Sequence, residues 1–262
     1  MKLRVIDTHT HYTHPCFDNE RDELLTQLHF EGVIRIVESA ISFSSNPKVV
    51  ELCEEHDFVY GSLGVHPKHV GELNEGKFQE IEKMLGKTRK ILAIGETGLD
   101  YSKCVGEETK ETQKKWFQNF VELSLHQVLP LVIHCRDAYP DLIKILSEYY
   151  FPWKPGVVHC FSGSVEEGKK LVDMGFYLGI GGKIVREEDL RSVIKEIPLE
   201  AIVLETDAPY LSPIPGEKVN TSNNLGCIIE ELAKLKGITK GEVMWTTLEN
   251  TYNLYPKLRH RI

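Results

Sequence analysis

Short apolar runs alternate with longer amphipathic stretches along the chain. Each run has three to eight residues, mostly β-branched, Leu or aromatic, and a polar residue or Gly follows it. This pattern is typical of strands that are buried on both faces of a sheet. The predicted strands are Leu3–Ile6, Val33–Val37, Phe58–Val65, Ile91–Ile94, Leu129–Ile133, Gly156–Val158, Phe176–Ile180 and Ile202–Leu204.

The amphipathic stretches between these runs repeat their apolar residues at helical spacing. The last stretch begins with Thr239 and Glu242, which have the spacing of a capping box. The predicted helices are Asn19–Leu28, Pro47–His56, Glu107–Gln127, Pro140–Tyr149, Ser164–Met174, Glu187–Lys195, Leu225–Leu235 and Thr239–Leu254.

The spacing of the strand ends predicts the fold class. Eight ends recur every 22 to 38 residues, and helices fill the intervals. This regularity favours an α/β protein of the (β/α)8 TIM-barrel type over a doubly wound open sheet, which remains the alternative. Low-complexity tracts, linkers and composition breaks are absent from the sequence, so we expect one domain over residues 1–262. The predicted strand ends are His9, Glu38, Val65, Glu96, His134, His159, Gly181 and Asp207.

Six ionisable residues at or beside the ends of five of these strands are candidates for the chemistry. His9 and His11 lie two positions apart, so in a strand both rings face the same side. Glu96 lies between glycines, and the other ends carry His134, His159 and Asp207. Each could alone be a loop cap. In a barrel, however, they converge on the C-terminal mouth, where active sites are built.

These six residues together indicate a metal site. Four imidazoles and two carboxylates suit Zn²⁺ or Mn²⁺ better than Ca²⁺ or Mg²⁺, although Mg²⁺ is kept as a third candidate. Six ligands exceed what one catalytic zinc needs, so two divalent ions that share a carboxylate fit the set better.

Composition and charge narrow the possible functions. The chain has 262 residues, 41% of them hydrophobic, and a formal charge of −8. The acidic balance disfavours a surface that binds nucleic acid mainly by counterion release, but it allows metal-assisted chemistry on phosphates. Apolar runs of membrane-spanning length and a signal-peptide core are absent from the sequence, so we expect a cytoplasmic protein without membrane association. The six cysteines include no C-x-x-C pair and are expected to be reduced.

The motifs as a set are highly specific, and the chain resembles the TatD family of metal-dependent deoxyribonucleases among the amidohydrolase-type barrels. The resemblance covers nearly the whole sequence. It rests on the D-x-H-x-H at Asp7–His11 and on Gly64-Val65-His66-Pro67, Gly95–Tyr101, Ile133–Asp137, His159–Ser164 and Leu204–Leu211.

The resemblance implies a ligand set and a mechanism. His9, His11, Glu96 and Asp207 would hold the first metal ion, and Glu96, His134 and His159 the second. The pattern has no lysine at a strand end that could serve as a carbamylated bridge, and the resemblance assigns the bridging role to Glu96. Glu96 and Asp207 are the candidate catalytic residues, and Asp207 would accept a proton from the attacking water.

Four further residues are candidates for substrate binding. His66 precedes Pro67 after a strand and could reach a phosphate, and the guanidinium of Arg136 matches phosphate oxygens unless it pairs with Asp137. The family pattern R-G-K-x-N-x-P corresponds to a loop of this chain that contains Lys218 and Asn220. The Lys and Asn of the pattern are present here, whereas its Arg and Pro are replaced.

Two sequence features bear on the substrate more loosely. Among the aromatic residues, Tyr12 and Tyr101 are the ones that we expect to be best placed to contact a nucleobase of the substrate. Tyr12-Thr13 stands where family members commonly have Leu-Asp. Because of such departures, the resemblance supports the metal chemistry more strongly than the identity of the substrate.

The resulting functional hypothesis is a two-metal phosphodiesterase that trims the ends of DNA, preferably single strands. The alternative is a hydrolase of another ester, a lactone or an amide, for example an aminoacyl-tRNA ester, because the barrel supports many chemistries on the same metal site. A non-catalytic scaffold is the third possibility, and the complete set of six ligand residues argues against it.

Overall fold

The computed structural model describes residues 4–102 and 106–260. Leu3, the first residue of the first predicted strand, lies outside these residues. So does Cys104, one of the six cysteines. Within the described residues, the strands are β1 (Val5–Thr10), β2 (Val33–Ser39), β3 (Val59–Leu63), β4 (Ile91–Asp100), β5 (Leu131–Arg136), β6 (Gly156–Val158), β7 (Tyr177–Ile180) and β8 (Ile202–Leu204).

The helices fill the intervals between the strands, as the sequence predicts. They are α1 (Arg21–Glu31), α2 (Ser45–Glu55), α3 (Glu75–Leu85), α4 (Glu107–Gln127), α5 (Tyr139–Leu146), α6 (Val165–Asp173), α7 (Lys183–Arg186), α8 (Glu188–Glu196), α9 (Leu225–Lys236) and α10 (Lys240–Leu254). Short 3-10 turns add Pro15–Phe17, Pro67–Glu72, Leu199–Ala201, Ser222–Asn224 and Pro256–His260.

The strands form one parallel sheet in the order β1 to β8, and each strand pairs with the next along the chain. The sheet curls until its ends meet: Thr10 bridges Ala208, and the amides of Asp207 and His11 donate to the carbonyls of His9 and Ala208. This arrangement confirms the predicted (β/α)8 barrel.

Four strands, β1, β2, β4 and β5, continue beyond their apolar runs, and β1 and β4 do so furthest. β1 extends to Thr10 and β4 to Asp100, because the polar residues at these ends are buried within the barrel mouth. β1 changes its register against β2 between Asp7 and Thr10. The functional ends of these strands are therefore part of the sheet itself and not of flexible loops.

Two apolar clusters stabilise the barrel. The larger one packs the helices on the outside of the sheet and includes Leu25, Val49, Phe117 and Phe120. The smaller one contains residues from all eight strands, together with Tyr255 and Leu258 from the end of the chain. The strand residues of this second cluster are Ile6, Val37, Tyr60, Leu92, Ala93, Val132, Val157, Tyr177 and Val203.

The glycines on either side of Glu96 allow β4 to lie close to β5. Gly95 and Gly98 have φ values of +149° and +138°, a region that favours glycine. A Cβ would lie 2.3 Å from the carbonyl oxygen of Val132 at Gly95, and 2.0 Å from that of His134 at Gly98. Both positions therefore need glycine if Glu96 is to stand beside β5.

Several smaller sequence predictions can be compared with the structure. The capping box of Thr239 and Glu242 forms at the start of α10, and α4 spans the predicted residues. The helix α3 is missing from the prediction. No disulfide joins the cysteines in the described part of the chain.

None of the helices built from described residues combines the length and the apolar character that crossing a membrane requires.

Candidate metal centre

The six predicted ligand residues lie together at the C-terminal mouth of the barrel. His9 and His11 belong to β1, Glu96 to β4 and His134 to β5, whereas His159 directly follows β6 and Asp207 lies three residues after β8. Each therefore sits on or beside the rigid sheet. All six side chains are no more than 17% exposed, and His9 is fully buried.

One half of the site is formed by β1. The Nε2 atoms of His9 and His11 are 3.2 Å apart, and they face Asp207 Oδ1 at 3.7 and 3.2 Å. Nδ1 of His11 lies 2.9 Å from the carbonyl of Ser39, an acceptor, so Nδ1 carries the proton of the neutral ring. The hydroxyl of Ser39 contacts Nδ1 of His9 at 3.2 Å. Ser39 thus orients both rings, and the lone pair on Nε2 of His11 faces the site.

The other half is formed by β5 and β6. Nδ1 of His134 and Nε2 of His159 are 3.2 Å apart. On its far side, Nε2 of His134 donates to Asp100 Oδ2 at 3.1 Å, so the lone pair on Nδ1 faces His159. Histidine ligands of metals usually have such a carboxylate partner, which fixes the tautomer and the ring orientation.

Glu96 lies between the two halves with one carboxylate oxygen directed at each. Its Oε2 is 3.5 Å from His9 Nε2 and 3.6 Å from His11 Nε2. Its Oε1 is 3.0 Å from His134 Nδ1 and 2.9 Å from His159 Nε2. A carboxylate arranged in this way can be shared by two cations.

Asp207 has a local conformation of its own. Its φ of +60° is in the left-handed region, which Asp tolerates better than most residues. Its amide donates to the carbonyl of His9, and its own carbonyl accepts from the amide of Tyr210. These backbone contacts hold the carboxylate, which is 13% exposed, against β1 and beside the mouth.

The electrostatics of the site favour added positive charge. Burial opposes the ionisation of Glu96, but the charge of His159 and its hydrogen bond to Glu96 hold the pKa of Glu96 well below its usual value. Burial likewise opposes protonation of His11, yet the hydrogen bond with Asp207 and the surrounding carboxylates raise its pKa to about 9. Carboxylates that keep buried imidazoles protonated in this way would bind a metal cation in place of the protons.

The donor atoms fit divalent metal ions. Nitrogen and oxygen atoms of His9, His11 and Glu96 lie within 4.8 Å of one another, as do those of His9, His159 and Asp207. The atoms of Glu96, His134 and His159 are 2.9 to 3.2 Å apart. Imidazole and carboxylate ligands, converging from rigid strands, are the donor set that Zn²⁺ and Mn²⁺ prefer.

Three of the four predicted substrate residues lie on or near the mouth. Nε2 of His66 is 3.5 Å from Glu96 Oε1, and its ring centroid is 4.2 Å from that of His134. Arg136 ends β5 with an exposed side chain that forms no hydrogen bond or ion pair to other described residues, so the alternative of a pair with Asp137 is not observed. Lys218 is exposed on the loop after β8.

The structure does not support direct substrate contact by Asn220. The residue is fully buried, and its amide donates to the carbonyls of Thr206 and Tyr210 at 2.8 and 2.7 Å. Its Oδ1 accepts from Asn224 at 2.8 Å. Asn220 instead fixes the segment that follows β8, on which Asp207 stands.

The prediction that Tyr12 contacts a base is wrong. Its ring is fully buried, and its hydroxyl hydrogen-bonds with Ser222 at 2.9 Å. The hydroxyl of Tyr101 donates to Asp141 at 3.0 Å, and a lysine, Lys110, lies over the ring. The change at Tyr12 therefore alters packing below the site, whereas Thr13 lines a cavity together with His11 and His14.

Sequence reasoning missed the carboxylates that support the ligands. Asp100 binds His134 and also Lys68, whose Nζ lies 2.9 Å away. Glu205 is fully buried; its Oε1 accepts from the amide of Cys160 and lies 3.7 Å from His159 Nδ1. Both acids lie within motifs quoted above, and their positions at strand ends were the available signal.

The barrel and the donor set are those expected of a metal-dependent hydrolase, and the comparisons with known proteins show the family. The family described as "TatD related DNase" matches residues 6–256, and the chain belongs to this family. A Bacillus subtilis relative, the uncharacterized metal-dependent hydrolase YabD, is 34% identical, with 96% of this chain and 98% of YabD covered.

Two further relatives cover almost the full chain. The 3'-5' ssDNA/RNA exonuclease TatD of Cronobacter sakazakii is 28% identical over 97% of this chain and 98% of its own. The crystal structure of the TatD homologue YjjV of Escherichia coli K12 superposes with a TM-score of 0.91 at 29% identity, covering 98% and 99% of the two chains.

Proposed function

We propose that this chain hydrolyses phosphodiester bonds at the ends of DNA strands with two divalent metal ions. The observation that carries the proposal is the position of Glu96, which directs one oxygen at the β1 histidines and the other at His134 and His159. The family of the chain and the exonuclease activity named for its Cronobacter sakazakii relative support nucleic acid as the substrate.

The chain's own donors would divide between two ions. His9, His11, Glu96 and Asp207 would hold the first, and Glu96, His134 and His159 the second. Bound divalent ions would supply Lewis acidity and lower the pKa of the attacking water. The candidates for the native metal are Zn²⁺, Mn²⁺ and Mg²⁺, and the four imidazoles favour the first two.

Asp207 is the proposed general base. Burial opposes its ionisation, but the hydrogen bond with His11 and the nearby imidazoles lower its pKa, so the carboxylate is charged and able to accept a proton. It is also the more exposed of the two carboxylates in the ligand set, at 13% against 3% for Glu96. A water that enters from the mouth reaches Asp207 more readily than Glu96.

His66 is proposed to donate a hydrogen bond to a phosphate oxygen. The amide of Lys68 donates to its Nδ1 at 3.0 Å, so the proton of the neutral ring is on Nε2, which faces the site. Burial lowers the pKa of His66 to about 3, which keeps the ring neutral. A ring in this tautomer offers a donor and not a metal ligand on that side.

Arg136 and Lys218 are proposed to add positive charge around the leaving strand. Both side chains are exposed, and neither forms an ion pair with a described residue. Arginine can bind phosphate through two parallel hydrogen bonds, whereas lysine provides a mobile point charge.

The domain range 1–262 and the cytoplasmic location remain predictions from the sequence.

The test is an activity panel on protein reconstituted separately with Mg²⁺, Mn²⁺ and Zn²⁺. Each form is assayed on single-stranded DNA, duplex DNA, RNA and a generic carboxylic ester. We expect hydrolysis of DNA, fastest on single strands, and loss of activity after chelation. Turnover of the ester without cleavage of any nucleic acid would reject the proposal and favour the alternative esterase function.

A further inference from the structure

We propose that Tyr210 is a binding platform on which the terminal nucleobase of the substrate strand stacks. The inference rests on the proposed nuclease function and adds to it the contact that recognises a base. Its basis is an exposed aromatic ring that lies directly beside a candidate metal ligand.

Tyr210 combines exposure with proximity to the metal centre. The side chain is 43% exposed, and its ring centroid is 5.9 Å from that of the ligand His11 and 5.8 Å from that of His14. The interplanar angles are 61° and 77°, so neither imidazole stacks parallel to the phenol ring. A base attached to a phosphate at the metal centre would therefore find an aromatic surface within reach.

The position of the ring is fixed by the backbone around it. The amide of Tyr210 donates to the carbonyl of Asp207 at 2.8 Å, and its carbonyl accepts from the buried amide of Asn220 at 2.7 Å. The platform and the proposed general base thus belong to one rigid turn. A ring held in place before binding loses little conformational freedom when a base stacks on it.

The loop that carries Tyr210 is unusually apolar for a surface segment. Among the described residues, seven large hydrophobic side chains are exposed, and three of them, Tyr210, Ile214 and Val219, lie in the segment between β8 and α9. His11 and His14, the two imidazoles beside Tyr210, also line a cavity of about 160 Å³. This concave space offers room for the sugar and phosphate that continue from a stacked base.

Stacking explains why a nucleobase, and not a phosphate, is the proposed ligand of this surface. Aromatic side chains bind single strands by stacking on base faces, largely without regard to sequence. Bases in a duplex are already stacked and paired, so a platform of this kind selects frayed ends and single strands. The hydroxyl of Tyr210 forms no hydrogen bond with other described residues, so Tyr210→Phe would keep the ring and break no contact among them.

The experiment compares Tyr210→Ala, Tyr210→Phe and a matched control, Tyr150→Ala. Tyr150 is 82% exposed and lies in the loop between α5 and β6, at the opposite end of the barrel. Single-stranded oligonucleotides with a normal or an abasic terminal nucleotide are used, and KM and kcat are measured on the metal-loaded enzyme. Thermal unfolding of each variant checks that the fold is intact.

We expect Tyr210→Ala to raise KM for the normal strand about 5- to 150-fold, with a smaller effect on kcat. Tyr210→Phe and Tyr150→Ala should behave like the wild type. The abasic strand should already bind the wild type weakly, and Tyr210→Ala should weaken its binding no further, because the base and the ring form one interacting pair.

Three outcomes would overturn the inference. If Tyr210→Ala leaves KM unchanged on DNA that the wild type cleaves, the platform is rejected while the nuclease function stands. If Tyr210→Ala weakens the normal and abasic strands equally, the ring supports the site without contacting a base. If the wild type cleaves no nucleic acid in any metal form, the proposed function and the platform both fail.

Discussion

At the scale of single residues, the sequence could bring the six candidate ligands to one site because each lies shortly after an apolar run that forms a strand. The supporting acids could not, since Asp100 and Glu205 act through contacts with residues 34 and 46 positions away in sequence, His134 and His159. Asn220 shows the reverse case. Asn220 was predicted to bind substrate because it matches the family pattern. In the structure its side-chain amide is buried and donates to the carbonyls of Thr206 and Tyr210.

The first prediction concerns the proposed general base. Asp207→Asn keeps the volume of the side chain but removes the proton acceptor. We expect hydrolysis to fall by about 10²-fold or more, with the thermal unfolding temperature little changed. The control is Asp137→Asn, because Asp137 also follows a strand with a positive φ, of 54°, but is not among the ligands. Near-normal turnover in Asp207→Asn would assign the base to another residue.

The second prediction concerns Asp100, which orients His134. Asp100→Asn removes the charge that accepts from His134 Nε2 and Lys68 Nζ, so the imidazole becomes less basic and less fixed. We expect metal affinity to fall about 10- to 100-fold, measured by competition with a chelating dye. Asp141→Asn is the control, since this acid pairs with Lys114 outside the site. Equal metal affinity in Asp100→Asn and wild type would contradict the role.

At the scale of secondary-structure elements, the apolar runs predicted every strand but not where β1 and β4 end. Strand ends were read from the change to polar residues, whereas the sheet continues through buried polar side chains such as Thr10 and Asp100. The missed helix α3 carried a usable signal. Asn74 caps it by accepting from the amide of Lys77, and Phe78 and Ile81 recur at helical spacing.

The third prediction tests the close contact of β4 and β5. In Gly98→Ala the new Cβ would lie 2.0 Å from the carbonyl oxygen of His134, at a φ of +138°. The strands must therefore separate or the backbone must change, and we expect unfolding stability to fall by at least about 1–3 kcal/mol. Chemical denaturation measures this change.

The same variant should also bind metal more weakly, because a shift of β4 against β5 moves Glu96 relative to His134. Gly226→Ala is the matched control, since no atom lies within 4 Å of a Cβ at this position in α9. It should preserve stability or raise it slightly, as alanine favours a helix. If the two alanine variants were equally stable, the contact between the strands would not require glycine.

At the scale of the whole molecule, the charge distribution argues against binding along an extended DNA surface. The chain carries 31 Lys and Arg against 39 Asp and Glu, for a formal charge of −8. The positive groups that we propose to meet a strand at the mouth are two metal ions together with Arg136 and Lys218. Affinity should then come from one or two phosphates at the centre and from a terminal base.

The last prediction follows from this charge distribution. A protein that neutralises one or two phosphates releases few counterions, so the logarithm of the binding constant should fall against the logarithm of salt concentration with a slope of about −1 to −2. A strand end can enter the mouth, whereas closed circular DNA presents only a continuous backbone. We therefore expect linear single strands to be trimmed from an end while closed circles survive. Gel electrophoresis of both substrates over a series of salt concentrations measures this difference. Closed circles cut as fast as linear strands, or a salt slope several times steeper, would show instead that the enzyme binds along the strand and cleaves internally.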